Sequence, residues 1–117
     1  MSTDLTPLVE LPGFIAAAVV DSESGMILAS ETRGNFDIEL ASAGNTEVVR
    51  AKRRTLTSLK LSDKIEDILI SLDRQYHLIR LLNANERAFI YLAMDRGMAN
   101  LAMARMTMER VDANTTV

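Results

Sequence analysis

The chain has 117 residues, of which 48% are hydrophobic and 25% charged, with a formal net charge of −3. This size and composition are typical of a globular protein, so we expect one domain over residues 1–117, ordered from about 5 to 111, with a polar tail over 112–117. The absence of cysteine excludes disulfides and thiolate metal sites, the single histidine argues against tetrahedral zinc, and the net charge argues against nucleic acid as a partner.

The N-terminal residues give no sign of a targeting segment. They lack a basic region followed by an apolar one, and no apolar run in the chain approaches the roughly 20 residues of a membrane span. We therefore expect a cytoplasmic location without membrane insertion, and frayed residues 1–4. Thr6 and Pro7 then predict a very short helix, with Thr6 as N-cap and Pro7 at the first helical position. Pro12 and Gly13 end this helix.

The segment from Pro12 to Ser30 predicts a β-hairpin. It reads P-G-F-I-A-A-A-V-V-D-S-E-S-G-M-I-L-A-S, with two short apolar runs separated by Asp, Ser and Gly. Asp and Ser side chains bond a turn backbone, and Gly accepts a positive φ angle. Strict alternation places Phe14 on the same side as Ala16, and both sides of this strand are apolar. A strand that is apolar on both sides needs cover on both, so we expect a central strand with helices above and below the sheet.

A long helix is expected from about Phe36 to Lys60, with Asn35 as its N-cap. Its best periodic stripe consists mostly of small residues, namely Ala41, Gly44, Val48, Ala51, Thr55 and Leu59. Glycine inside a helix costs about 1 kcal/mol relative to alanine, so Gly44 indicates close packing. The packing partner is either the alanine-rich strand of the same chain or the same helix of another subunit.

Three more apolar runs predict an antiparallel meander. They span Ile65–Leu72, Tyr76–Leu82 and Ala88–Met94, and the links between them are short. A last helix is expected from about Met98 to Arg110. One side of it carries Leu101, Ala104, Met108 and Val111, and another carries Ala99, Ala102, Met103 and Met106. One sheet cannot cover both sides, so we expect Met103 and Met106 to pack against the short first helix or another subunit.

The element order is α-β-β-α-β-β-β-α. It predicts an α+β protein, an α/β/α sandwich whose five-stranded antiparallel sheet has helices on both faces. We expect the last strand beside the first, which leaves the strand near residues 65–72 as an open edge. An open edge invites pairing with another chain, so a two-fold homodimer joined through Ile65, Ile68 and Ile70 is expected.

We find no catalytic or cofactor-binding pattern in the sequence. His77 alternates with Ile79 and Leu81 in a strand, which favours a structural or surface imidazole. The five glycines match neither nucleotide-binding pattern, G-x-x-x-x-G-K-[ST] or G-x-G-x-x-G. The turn at residues 21–25 faintly resembles a calcium loop, but the positions after it are Met, Ile and Leu. We therefore expect no enzyme activity, no metal and no cofactor.

A basic cluster lies in the second half of the long helix: Arg50, Lys52, Arg53 and Arg54. Three interpretations stay open. The cluster is a solvated face that complements the helix C-terminus, or a docking surface for an acidic partner. The third interpretation, a nucleic-acid contact, lacks the aromatic residues that usually accompany one.

The element order and three segments together resemble the roadblock / dynein light chain family over about Leu5 to Arg110. The segments are the G-x-x-A-A-x-V-x-D strand with its S-G turn (Gly13–Gly25), the acidic helix start at Asp37 and Glu39, and A-N-L-A-M-A-R (Ala99–Arg105). The glycine-containing entry to the last helix is similar to that of the bacterial members. The resemblance implies the profilin-like / roadblock fold. It also implies a homodimer built through the third strand and the long helix.

The same resemblance implies a function. It implies a non-enzymatic regulator or scaffold of a Ras-like small GTPase, acting as a GTPase activator or a docking platform, with the basic cluster as docking surface. The alternative is a signalling module that docks to a sensor histidine kinase or senses a small ligand. The first helix is shorter here than is usual in the family, which predicts a partly bare sheet face and favours a higher oligomer.

Overall fold

The computed structural model describes residues 2–117; Met1, expected to be frayed, lies outside the described residues. The elements follow the predicted order. They are α1 (Thr6–Val9), β1 (Phe14–Asp21), β2 (Ile27–Thr32), α2 (Ile38–Ser58), β3 (Asp67–Ser71), β4 (Gln75–Leu81), β5 (Ala88–Asp95) and α3 (Leu101–Ala113).

The five strands form one antiparallel sheet in the order β2-β1-β5-β4-β3. β5 lies beside β1 and β3 is an edge strand, as the sequence predicts; β2 is the opposite edge. α2 packs on one face of the sheet, where Ala16, Ala18 and Val20 point. α1 and α3 pack on the other face, toward Ala17 and Val19. The two apolar sides of β1 are therefore both covered.

Phe14 is an exception to the strict alternation expected for β1. The pairing of β1 with β5 shifts register between Phe14 and Ala16. A register shift breaks the alternation of side chains between the two sheet faces. Phe14 therefore points to the face of α1 and α3 instead of the face of α2. There it packs with Leu5, Leu8 and Leu11, which flank or belong to the short α1.

The partly bare sheet face expected from the short first helix does not occur over β1. Ala17 and Val19, on the α1 side, are fully buried. α1 has only four residues, but the leucines on either side of it extend the apolar cover. The shortness of α1 therefore gives no reason for a higher oligomer.

The starts of all three helices differ from the prediction. The N-cap of α2 is Asp37, not Asn35, because the Asp37 carboxylate accepts a 3.0 Å hydrogen bond from the Leu40 N–H. Thr6 is the first residue of α1 and not its N-cap; its N–H donates to Asp4. α3 begins after Asn100, whose side chain caps it.

The polar tail predicted over residues 112–117 is instead packed against the domain. α3 continues to Ala113, and Asp112 and Thr115 are buried. Ser2 and Thr116 exchange two backbone hydrogen bonds of 2.8 Å, which pair the two ends of the described chain. Polar composition alone could not reveal this packing, because it depends on partners distant in the sequence.

Candidate interaction surface

The inward side of α2 differs from the stripe that the sequence singled out. Its buried residues are Ser42, Asn45, Thr46 and Val49, three of them polar. Thr46 satisfies its hydroxyl by donating to the Ser42 carbonyl oxygen at 2.8 Å. Small and polar residues of α2 thus pack on the small alanines of β1, and periodicity of apolar residues could not identify this side.

The predicted stripe lies mostly on the outer side of α2. Gly44, Ala51 and Thr55 are exposed, and Leu59 retains 61% of its accessible surface. Ala41 and Val48 are half-buried at the margin of the apolar cluster on the α2 side. A Cβ atom built on Gly44 would meet no heavy atom within 4 Å. The interpretation that this stripe packs on the alanine-rich strand of the same chain therefore holds only for Ala41 and Val48 and is wrong for its exposed members.

The isoleucines at the edge strand β3 lie on the same sheet face as this margin. Ile65 and Ile68 pack against the α2-side cluster but stay half-buried, as does Ile70. α2 contacts β1 and β2, and its last turns line one groove together with Ile65, just before β3. The β3 isoleucines and the outer stripe of α2 thus form one partly uncovered region, which we call the α2–β3 surface. It consists of the eight residues predicted as a dimer interface: Ala41, Gly44, Val48, Ala51, Thr55, Ile65, Ile68 and Ile70.

A short polar chain lies under the α2–β3 surface. The Tyr91 hydroxyl is 3.3 Å from His77 Nδ1, and His77 Nε2 is 2.8 Å from Gln75 Oε1. Burial raises the pKa of Tyr91 to about 12, although a hydrogen bond between its hydroxyl group and Asn45 opposes that shift. Burial also lowers the pKa of His77. A neutral imidazole fits these contacts, with Nε2–H donating to Gln75 and Nδ1 accepting from Tyr91. These contacts give His77 a structural role.

The basic cluster does not form one continuous surface. Arg50 Nε donates to the Ser22 carbonyl oxygen at 2.9 Å, and its Nη2 donates to the Glu23 carbonyl oxygen. Arg53 donates to the Ser22 hydroxyl at 2.9 Å and to the Glu86 carbonyl oxygen. Both arginines therefore connect α2 to the β1–β2 turn or the β4–β5 loop. Lys52 and Arg54 are the exposed members of the cluster.

The β1–β2 turn carries its own ion pairs, which sequence reasoning did not detect. Arg87 contacts both carboxylate oxygens of Asp21, at 3.0 and 3.1 Å, and also pairs with Glu23. The hydrogen bond from Arg87, assisted by the Glu23 N–H, lowers the pKa of Asp21 to about 2. Asp21 and Arg87 are 66 positions apart, so no local pattern could have joined them.

The main grooves among residues 2–117 are open and partly lined by charged residues. One open groove of about 270 Å³ lies beside the end of α2, with Arg53, Lys64, Ile65 and Glu86 among its lining residues. Charged residues at its walls make it unlike the enclosed apolar sites that small ligands favour. Within residues 2–117, no three His, Asp or Glu side chains lie close enough together to hold a metal ion. No helix in the same range is both long and apolar enough to cross a membrane.

Several solved bacterial structures have the same fold at low sequence identity. A Roadblock/LC7 domain from Streptomyces avermitilis matches with a TM-score of 0.80 and 10% identity, covering 93% of this chain and 88% of that chain. The gliding protein MglB from Thermus thermophilus matches with a TM-score of 0.75 and 17% identity, covering 92% of this chain and 78% of that one.

A third structure, of MglB with a tetrameric arrangement, matches with a TM-score of 0.77 and 17% identity, covering 93% of this chain and 79% of that one. No protein-family model and no curated protein matches the chain in sequence. The likeness in three dimensions covers nearly the whole chain and agrees with the resemblance seen in its sequence segments. The chain therefore has the roadblock fold.

Proposed function

We propose that the protein is a non-enzymatic homodimer that regulates or anchors a Ras-like small GTPase, and that the α2–β3 surface forms the dimer. The single observation that carries the dimer is Gly44. A glycine in the middle of a 21-residue helix costs about 1 kcal/mol relative to alanine. Within residues 2–117, no neighbouring atom packs against Gly44 to compensate that cost. A second α2 approaching closely along Ala41, Gly44 and Ala51 would compensate it.

The edge strand supports the same interface. β3 is short and presents an unpaired edge, with Ile68 and Ile70 on its α2 side only half-buried. Antiparallel pairing of β3 with its symmetry mate would join two five-stranded sheets into one continuous sheet. The same two-fold axis brings the two α2 helices toward each other on one face. The unpaired edge of β3 and the outer side of α2 thus support the same dimer interface.

The association with a GTPase rests on the fold and on the sequence resemblance. If the protein accelerates GTP hydrolysis, we expect it to act by positioning the catalytic groups of the GTPase. Arg50 and Arg53 are both held by backbone carbonyl oxygens of their own chain, so neither is free to enter a neighbouring active site. Of the basic cluster, Lys52 and Arg54 are the residues that we propose for docking an acidic partner surface.

Light scattering after size exclusion tests the dimer. The parent protein is expected to have twice the mass of the chain, and Ile70→Arg is expected to be monomeric because it places a charge in the joined edge. Ser30→Arg, an exposed position on the opposite edge strand β2, is the matched control and should stay dimeric. A monomeric parent would overturn the dimer, and a dimeric Ile70→Arg would move it to another surface.

Binding and hydrolysis assays test the GTPase. Ras-like GTPases of the source organism, loaded with GDP or a GTP analogue, are titrated with the protein, and GTP hydrolysis is followed with and without it. We expect one of them to bind, and Lys52→Glu/Arg54→Glu to weaken binding at least about tenfold. Arg74→Glu, exposed in the β3–β4 turn, is the charge-matched control. Binding by none of them, with a sensor kinase captured instead, would replace this function with the kinase-docking alternative.

A further inference from the structure

The last residue of β4 has no partner strand on one of its two sides. β3 begins at Asp67, opposite Arg80, so no residue of β3 lies opposite Leu81. Hydrogen-bonded pairs alternate along an antiparallel ladder, and the Leu82 N–H donates to β5. The main-chain groups of Leu81 therefore face the other way, toward the side of β3. Within the described chain, no hydrogen bond joins Leu81 to the segment 61–66 that precedes β3.

Two grooves meet at this open edge. One is the groove of about 270 Å³ beside the end of α2, and the other, of about 280 Å³, lies where Arg80 and Leu82 point toward the α3 side. The two grooves have four lining residues in common: Lys64, Ile65, Leu81 and Glu86. They therefore form one continuous depression around the edge of β4, which we call the β4 notch.

A buried cation has unused hydrogen-bond donors at the β4 notch. Arg80 exposes only 9% of its surface, and its Nε donates to Asp112 Oδ2 at 2.9 Å. Its two terminal nitrogens, Nη1 and Nη2, donate to no atom of residues 2–117, yet neither is fully enclosed. Because Arg80 lines the notch, these donors open into it. A ligand that accepts hydrogen bonds can therefore reach them.

The charges around the notch favour a neutral acceptor. Asp112 already neutralises Arg80. Asp63 and Glu66 also line the notch, are exposed, and have no ion-pair partner among residues 2–117. They would repel a carboxylate or a phosphate, so a carbonyl oxygen suits the Arg80 donors better, and a basic group beside it would be attracted. Leu81 adds one main-chain donor and one acceptor, which an extended peptide can pair with.

We propose that the β4 notch binds a short extended segment of a partner protein that carries a lysine or arginine. The main chain of this segment pairs with Leu81 as a short additional strand, one of its carbonyl oxygens accepts from Arg80, and its basic side chain pairs with Glu66. This site goes beyond the proposed function and does not depend on the dimer. Nothing comparable identifies a partner for the outer side of α3, where Met103 and Met106, expected to pack against α1 or another subunit, are exposed.

Two model peptides test the site, acetylated and amidated Val-Lys-Val-Lys-Val and Val-Glu-Val-Glu-Val. We expect the lysine peptide to shift the NMR signals of the Leu81 amide and the Arg80 side chain in the isotopically labelled protein. It should also bind at least about tenfold more tightly than the glutamate peptide, because the rim of the notch is acidic. No saturable shift at Leu81, or equal binding of the two peptides, would overturn the proposal.

A charge reversal at the rim tests the position of the site. Glu66→Lys should weaken binding of the lysine peptide at least about tenfold, because it replaces an attraction by a repulsion. Glu31→Lys makes the same change at an exposed position of the opposite edge strand β2 and should leave binding unchanged. If Glu31→Lys weakens binding and Glu66→Lys does not, the peptide binds at the β2 edge and the proposal is wrong.

A second variant tests the donors of Arg80. Arg80→Met/Asp112→Ala removes them together with their buried counter-charge and should weaken binding at least about tenfold, with the helix content unchanged by circular dichroism. Unchanged binding would overturn the role of Arg80. Light scattering of the same samples separates this site from the dimer. A lysine peptide that turns a dimeric parent into monomers would occupy the β3 edge, which would overturn the β4 notch and support the proposed dimer.

Discussion

α2 and α3 pack on opposite faces of one sheet, and the sides that they bury differ: three of the four buried residues of α2 are polar, but only two of the five of α3. α3 buries Ala104, Met108 and Val111, as an amphipathic helix is expected to do. α2 buries Ser42, Asn45 and Thr46 and leaves Gly44 and other small residues of its stripe outside. The most apolar periodic side of a helix is therefore its inner side in α3, but its outer side in α2.

The difference follows from what lies beneath each helix. Under α2 the central strand presents Ala16 and Ala18, which leave room only for small side chains at close approach. Of the polar residues there, Thr46 donates its hydroxyl to the Ser42 carbonyl oxygen, whereas the Ser42 hydroxyl is buried without a hydrogen-bond partner among residues 2–117. A helix whose inner side is already polar and small has its apolar stripe available for a second chain.

Removing the buried carboxylate of Asp112, in α3, should have the largest effect on stability. Asp112 Oδ2 accepts from Arg80 Nε at 2.9 Å, and both side chains are buried. Asp112→Ala leaves the Arg80 charge buried without its partner, so we expect a loss of about 3–5 kcal/mol in the free energy of unfolding. Urea denaturation measures it. Arg80→Met/Asp112→Ala should recover most of the loss, and a double variant as unstable as the single one would contradict this explanation.

Enlarging an alanine beneath α2 should have an intermediate effect. Ala18 of β1 is fully buried beneath α2, and Ala18→Leu adds a larger side chain there. We therefore expect a loss of about 1–3 kcal/mol in the free energy of unfolding. Ala43→Leu, an exposed position on the same helix, is the control and should change stability by less than about 0.5 kcal/mol. Equal effects of the two substitutions in thermal or urea unfolding would show that α2 is not closely packed on β1.

The pH dependence of stability should show a smaller effect beneath the α2–β3 surface. Burial lowers the pKa of His77 in the folded state, whereas an unfolded histidine titrates near pH 6.5. Below that pH the unfolded chain binds a proton that the folded chain does not, so stability should fall as the pH decreases from about 7. His77→Gln should remove this part of the slope. A parent and variant with parallel urea midpoints between about pH 5.5 and 7.5 would contradict it.

The element order could be predicted from the sequence because it depends on local patterns. Apolar runs of strand length, the D-S-E-S-G turn and two amphipathic helices are visible without any knowledge of contacts. The cap of α2 was predicted wrongly at Asn35, because Asn and Asp both suit an N-cap and only the geometry selects Asp37. The register shift at Phe14 was not predictable either, since no glycine or proline inside β1 marks it.

The candidate site was less predictable because it depends on distant contacts. Proximity along the helix grouped Arg50 and Arg53 with Lys52 and Arg54, but the first two bind loops 27 to 33 positions away. The stripe of small residues could be recognised from the sequence. Whether it faces the sheet or the solvent could not, because that depends on the alanines of β1. A polar inner side of α2, at Ser42, Asn45 and Thr46, was the signal that could have settled its orientation.

The substitution Gly44→Ala tests the α2–β3 dimer most directly, because its two consequences have opposite signs. In a solvated helix it should raise the free energy of unfolding by roughly 0.5–1 kcal/mol, since alanine favours the helix. In a closely packed pair of helices the added methyl groups meet the partner. We predict that Gly44→Ala weakens dimerisation at least about tenfold in sedimentation equilibrium. A more stable protein with an unchanged association state would contradict the account, because the outer side of α2 would then face only solvent.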